Sequence, residues 1–160
     1  MTRRAIEAVI EELTIEPGNE AGMNQIVTGV WLGNESGLAE TFQHHITIVV
    51  NVSDSIVPAP SGVTQYCYPM IDKWACRRNA MLMMKRCAYL VHLCREQGKN
   101  VMIYCKRGHH RSACVVLQYL VDYCSMDPVD AVRVIKTHRP TALRRISCML
   151  DNQIVYHADN

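Results

Sequence analysis

Three features of the sequence predict an α/β domain with a central, mainly parallel sheet flanked by helices. Apolar, β-branched runs alternate with amphipathic segments of helical period. The strongest run, Ile46 to Val52, is apolar almost throughout, as a parallel strand covered on both faces must be. A polar, glycine-containing loop, Cys105 to Ser112, lies between a strand pattern and a helix pattern, where open α/β sheets bind ligands. At 160 residues the chain is long enough for one sizeable core.

A helical arm over 1–20 is expected before a main domain over 21–157. Thr2 is a candidate cap for a helix with the stripe Ile6, Val9, Ile10 and Leu13, ended by Pro17-Gly18-Asn19. That stripe can pack on the domain, which is the expected role, or pair two chains as a homodimer. Gln25-Ile26-Val27 and Val30-Trp31-Leu32 read as strands around Thr28-Gly29, and Gly33-Asn34 leads into a helix near Ser36 to Gln43. Ile46 to Val52 is the buried strand, Pro58 to Gly62 a loop, and Val63 to Tyr68 an alternating strand. Met83, Cys87, Leu90, Val91 and Cys94 place an amphipathic helix over 79–97, closed by Gly98.

The strand Val101 to Tyr104 then enters the loop. The segment from Ser112 to Cys124 is apolar on nearly all faces and belongs at the centre. Asp127 caps a helix with Pro128 at its first position, and His138-Arg139-Pro140 stops it. A final helix is expected to carry Leu143, Ile146, Met149, Leu150 and Ile154.

The loop carries the chemistry. A helix N-terminus leaves N–H groups unpartnered and bears partial positive charge, so a loop wrapping into it is an anion site. Gly108 permits a tight turn, and the planar guanidinium of Arg111 can hold two phosphate oxygens. Lys106, Arg107, His109 and His110 complete a basic cradle; protonation of either histidine would add charge below neutral pH. A thiol in that field is activated as a nucleophile, and Cys105 sits at its floor. The Ser112 hydroxyl can hydrogen-bond the sulfur and stabilise it as a leaving group. Phosphate ester cleavage also needs an acid for the leaving oxygen. Asp72, in the loop after Tyr68-Pro69-Met70, suits that role, and a helix-capping or turn role equally by its spacing alone.

The composition narrows the classes. A net charge of +2 does not by itself indicate nucleic-acid binding, and no apolar stretch reaches the length of a membrane span. Eight cysteines, no CxxC pair and a charged N-terminus point to a reducing cytoplasm or nucleus. Adjacent residues such as His109 and His110 rarely ligate one ion together, so neither a metal nor a cofactor is expected. Cys87, Cys94, Cys114, Cys124 and Cys148 are expected in the core. Cys67 is also expected there, with a disulfide to Cys105 as the lesser alternative.

Cys-x5-Arg-Ser between a strand and a helix resembles the signature loop of cysteine-dependent protein tyrosine phosphatases. The chain length, the Trp31-Leu32-Gly33-Asn34 stretch and Asn51-Val52-Ser53 resemble their dual-specificity branch, from about Gln25 to about Gln153. The resemblance implies a protein tyrosine phosphatase-like fold of the dual-specificity type and phosphoprotein substrates cleaved through a cysteinyl-phosphate. It implies Cys105 as nucleophile, Arg111 and the loop as phosphate binders, Ser112 at the sulfur and Asp72, 33 positions before Cys105, as general acid. Two positions depart from the family: Tyr104 replaces the usual histidine before the nucleophile, and Pro140 to Arg145 replaces the usual Pro-Asn-x-x-Phe stretch. The basic loop, with Lys73, Arg77 and Arg78 near Asp72, admits phosphoinositide or RNA 5′-triphosphate substrates as alternatives. A phosphate-binding module of weak turnover is the third reading.

Overall fold

The computed structural model of the chain describes residues 2–73 and 77–158. Five strands form one sheet: β1 (Met23–Val27), β2 (Val30–Gly33), β3 (Ile46–Asn51), β4 (Thr64–Cys67) and β5 (Asn100–Tyr104). Their spatial order is β1-β2-β5-β3-β4, parallel except for the β1–β2 hairpin. Gly29 turns that hairpin at φ +78°, a backbone conformation most side chains avoid. The helices are α1 (Thr2–Leu13), α2 (Arg77–Glu96), α3 (Arg111–Tyr123), α4 (Pro128–His138) and α5 (Cys148–Ala158). Among the described residues no helix is long and apolar enough to cross a membrane.

The expected order of elements is present. β5 lies between β2 and β3 with Val101, Met102, Ile103 and Tyr104 fully buried. α3 is buried at every position from Ser112 to Leu120 and packs on α2 and α4. Asp127 accepts from the Asp130 N–H at 3.0 Å, capping α4 with Pro128 in its first turn. The α1 stripe is spent within the chain: Ile6, Val9 and Ile10 are buried, and the helix lies against α4. The Arg3 guanidinium, paired with Asp151, ties α1 to α5.

Four local expectations are corrected. Thr2 lies inside α1 rather than capping it. The Ser36–Gln43 segment forms a short 3-10 helix over Glu35–Glu40, because the Thr41 N–H and hydroxyl both bond back to the Leu38 carbonyl and tighten the last turn. Cys67 is exposed, since β4 is an edge strand rather than part of the core. The last helix begins only at Cys148, leaving Leu143 and Ile146 in the preceding loop. There the backbone is committed elsewhere. Leu143 N–H donates to the His109 carbonyl at 2.7 Å, and Lys136 Nζ donates to the carbonyls of Pro140 and Ala142 at 2.7 and 2.6 Å. Leu143 is fully buried at φ +53°, so tertiary bonds hold it against both helical periodicity and its own preference.

Candidate active site

The loop from Cys105 to His110 joins the C-terminal end of β5 to the N-terminus of α3. Cys105 is 3% exposed, and its Sγ lies 3.1 Å from the Ser112 Oγ, which is fully buried in the first turn of α3. His110, at the N-cap, places no side-chain acceptor over that turn. The N–H groups of the turn are thus left for an anion beside the sulfur. Gly108 has φ +71°, and a Cβ there would stand 2.6 Å from the Gly33 carbonyl oxygen. Only glycine fits the turn without moving β2.

Above the loop opens a cleft of about 570 Å³. Cys105, Lys106, Arg107, His109, His110, Arg111 and Asp72 all line it. Ser112 and Gly108 are buried behind its wall. Asp72 is half-buried, and its Oδ1 accepts from the Met149 N–H at 3.0 Å, at the start of α5. Sequence spacing left a cap and a site residue as alternatives; this carboxylate caps α5 while lining the cleft. Arg111 Nη1 is held by the Met70 carbonyl at 3.3 Å and by Asp54 Oδ1 at 3.5 Å. Lys73 and Arg78 are exposed and lie outside the lining, and the side chain of Arg77 is outside the described residues. No group of three or more His, Cys, Asp or Glu among the described residues is arranged to hold a metal ion.

The loop is braced from behind by residues that its sequence does not reveal. Arg139 is 1% exposed. Its Nε donates to the Gly108 carbonyl at 3.0 Å and its Nη2 to the Arg107 carbonyl at 3.4 Å. Its Nη1 reaches the Ala21 carbonyl and Asn24 Oδ1, both at 2.8 Å. Glu20 closes the brace: it lies 2.9 Å from His109 Nε2, accepts from the Thr141 hydroxyl, and stands 3.8 Å from Arg139 Nη2. Bonded this way, the Arg107 and Gly108 carbonyls are held by Arg139 and the His109 carbonyl by Leu143 N–H. Burial lowers the Arg139 pKa while Glu20 opposes that shift.

Tyr104 belongs to the cluster with Met23, Leu38, Val49 and Met102, on the opposite sheet face from the core that holds Cys105. Its hydroxyl donates to Gln65 Oε1, and burial pushes its pKa up to about 12. His110 departs from expectation. Burial, then the nearby charges of Arg145, His109, Arg144 and Lys136, push its pKa down to about 4. It therefore stays neutral through the range in which added charge was expected. The linkage has a definite sign. In the unfolded chain a histidine titrates near ~6.5, so on acidification the unfolded state binds the proton first, and stability falls between about 6.5 and 4. His110→Gln is expected to flatten that part of the stability curve, read by urea unfolding at successive pH values. A constant offset across the window would contradict the assignment.

The sequence pattern of the dual specificity phosphatase catalytic domain matches residues 30–153. The chain belongs to the dual-specificity phosphatase family. It is 31% identical over 122 residues to dual specificity protein phosphatase 22 of Xenopus laevis, covering 72% of this chain and 57% of that one. Against the human protein of the same name it is 27% identical over 124 residues, covering 76% and 66%. The chain thus spans less than two thirds of either relative. Its fold is similar to the crystal structure of a mouse dual specificity phosphatase complexed with zinc tungstate, with TM-score 0.73, 23% identity and coverage of 92% and 93%. It is also similar to PTPMT1 in complex with PI(5)P, with TM-score 0.66, 17% identity and coverage of 87% and 99%.

Within this family member the cleft brings together Cys105, Lys106, Arg107, His109, His110, Arg111 and Asp72, from the loop after β5, the start of α3 and the segment before α2, with Gly108 and Ser112 buried behind it. The motif missed Glu20, Asn24, Asp54, Gln65 and Arg139. For most of these no local pattern exists, because their partners lie far away in the chain. Arg139 alone carried a signal, as a charged residue at the helix stop His138-Arg139-Pro140.

Proposed function

We propose that this domain hydrolyses phosphotyrosine, phosphoserine and phosphothreonine in proteins through a cysteinyl-phosphate intermediate. The observation that carries the reading is Cys105 Sγ, 3.1 Å from Ser112 Oγ, at the helix end of a cleft walled by Arg111 and Asp72. The phosphate sits on the loop N–H groups and the Arg111 guanidinium. The sulfur attacks phosphorus, the P–O ester bond breaks, and Asp72 gives its proton to the leaving oxygen. Asp72 then takes a proton from the attacking water. The S–P bond breaks, and the departing sulfur is stabilised by the Ser112 O–H. A cation-rich wall lowers the cost of the charge that builds on the phosphoryl oxygens.

Asp72→Asn is the sharper test of the acid, because an amide oxygen can still accept from Met149 N–H. Turnover of an alkyl phosphate such as phosphoserine is expected to fall by about 10²–10⁴-fold, the usual contribution of a general acid. Turnover of an aryl phosphate with a good leaving group should fall much less. Equal losses on both would remove Asp72 from proton transfer.

The basic wall also favours a second reading, a phosphoinositide or an RNA 5′-triphosphate as substrate. A panel of phosphotyrosine, phosphothreonine, inositol phospholipid and RNA triphosphate substrates decides between them. Phosphopeptides should give the highest kcat/KM. Faster cleavage of the lipid or of the RNA would overturn the protein reading, and tight phosphopeptide binding without turnover would reduce the domain to a binding module.

A further inference from the structure

The α1 stripe, which could have paired two chains, is buried within its own chain. A different apolar stripe is left at the surface, on the outer face of α2. Leu82, Arg86, Tyr89 and Leu93 are all exposed there and follow one another at spacings of four, three and four residues. Leu82 is 50% exposed, Tyr89 53% and Leu93 40%. Single exposed apolar residues are ordinary, but a contiguous row of them marks a contact surface. The 4-3-4 spacing is the a/d repeat by which one helix packs along another. From Leu82 to Leu93 the seam runs three turns, about 16 Å at 1.5 Å per residue. The Tyr89 ring lies against the rings of His92 and Tyr123, with centroids 6.3 and 6.5 Å apart.

The charge pattern of the seam selects its partner. Two copies of a chain related by a twofold axis present the same surface to each other. Laid parallel and in register, Arg86 would meet Arg86, and like charges would oppose the pairing. Laid antiparallel about an axis between Arg86 and Tyr89, every position of the seam is matched. Leu82 of each copy then meets Leu93 of the other, and each Arg86 guanidinium lies on a Tyr89 ring, a cation–π contact. Leu82 already lines a shallow groove with Met81 and Tyr156, which Leu93 of the second copy would enter. On one flank Met83 meets Leu90, both only partly buried on the core. At the seam ends Arg78 comes beside Glu96, both exposed. On the other flank Lys85 is already paired with Asp122 at 3.4 Å.

We propose that the outer face of α2 is a self-association surface, on which a second copy of this chain docks antiparallel through Leu82, Arg86, Tyr89 and Leu93. None of these four lines the cleft above Cys105, so the inference stands apart from the phosphatase reading. An interface built from three turns of one helix per chain falls below about 1,200 Å², the class of weak contacts. The dimer therefore forms and dissociates with concentration.

The test is sedimentation equilibrium of the full chain from about 1 μM to about 1 mM, the span in which so small an interface assembles. Wild type should pass from monomer to dimer. Leu93→Glu, which sets a carboxylate against Leu82 of the second copy, should raise the dimer Kd at least about tenfold. Its unfolding temperature should stay close to that of wild type, because position 93 is at the surface. Cross-linking then reads the register. Leu82→Cys and Leu93→Cys chains, mixed and mildly oxidised, should give disulfides joining position 82 to position 93, located by peptide mass spectrometry. Either variant alone should give none between its own introduced cysteines. A monomer at every concentration would overturn the proposal, as would a dimer whose Kd Leu93→Glu leaves unchanged. Links from 82 to 82 and from 93 to 93 in the separate variants would overturn the antiparallel arrangement.

Discussion

Cys105→Ser is expected to lose hydrolysis of an aryl phosphate by on the order of 10⁴–10⁶-fold, the scale on which removal of a nucleophile acts, and to keep its affinity for phosphate. The two halves of that expectation come from different atoms. Turnover needs a sulfur that can form and release a bond to phosphorus. Binding needs the helix N-terminus, the Gly108 turn and Arg111, none of which the substitution touches. Serine is also tolerated by the surroundings: position 105 is 3% exposed and its neighbour at 3.1 Å is already a hydroxyl. Thermal unfolding with and without tungstate separates the two effects. Stabilisation by the oxyanion should persist in the variant. Loss of both turnover and oxyanion stabilisation would mean that the substitution collapsed the loop, and unchanged turnover would remove Cys105 from the chemistry.

The second large effect is expected at a residue that does not touch the substrate. Arg139→Met should destabilise the domain by about 3–5 kcal/mol, the usual cost of removing one partner from a buried charged network. That is a large share of the roughly 5–15 kcal/mol by which a domain is stable. Methionine fills much of the space but offers no donor, so the carbonyls of Ala21, Arg107 and Gly108, with Asn24 Oδ1, lose their partner. Glu20 then keeps only His109 and Thr141. Arg139→Lys keeps the charge but cannot span all four acceptors. If Arg139 positions the loop, the lysine variant, assayed well below its unfolding temperature, should show a raised KM and a raised inhibition constant for free phosphate. A stability loss with unchanged phosphate affinity would assign Arg139 to the core alone.

The parts of the fold and site legible in the sequence are those whose cause is local. The β-branched run at Ile46 and the largely apolar helix after Ser112 announce burial on both sides. Asp127-Pro128 announces a helix start, and Cys105 to Ser112 carries its chemistry within eight residues. The start of α5 was not legible, because Leu143 has helical spacing but gives its N–H to His109. Cys67 looked like core by its strand, but nothing in its neighbours says that β4 lies at the sheet edge. His110 reads as a titrating cation until burial beside Arg144 and Arg145 makes it neutral. Tyr104, which replaces the family's histidine, has its hydroxyl committed to Gln65 across the sheet from Cys105. The substitution therefore leaves the contact between Cys105 and Ser112 in place.

The central claim is a covalent bond between Cys105 and phosphorus. Rapid acid quenching of the wild-type domain during turnover, followed by peptide mass spectrometry, tests it most directly. The account predicts one phosphoryl group on the peptide containing Cys105, at higher occupancy in Ser112→Ala, where the sulfur leaves more slowly, and none in Cys105→Ser. Steady turnover with no label on Cys105 under any quench time, or a label on another residue, would contradict it.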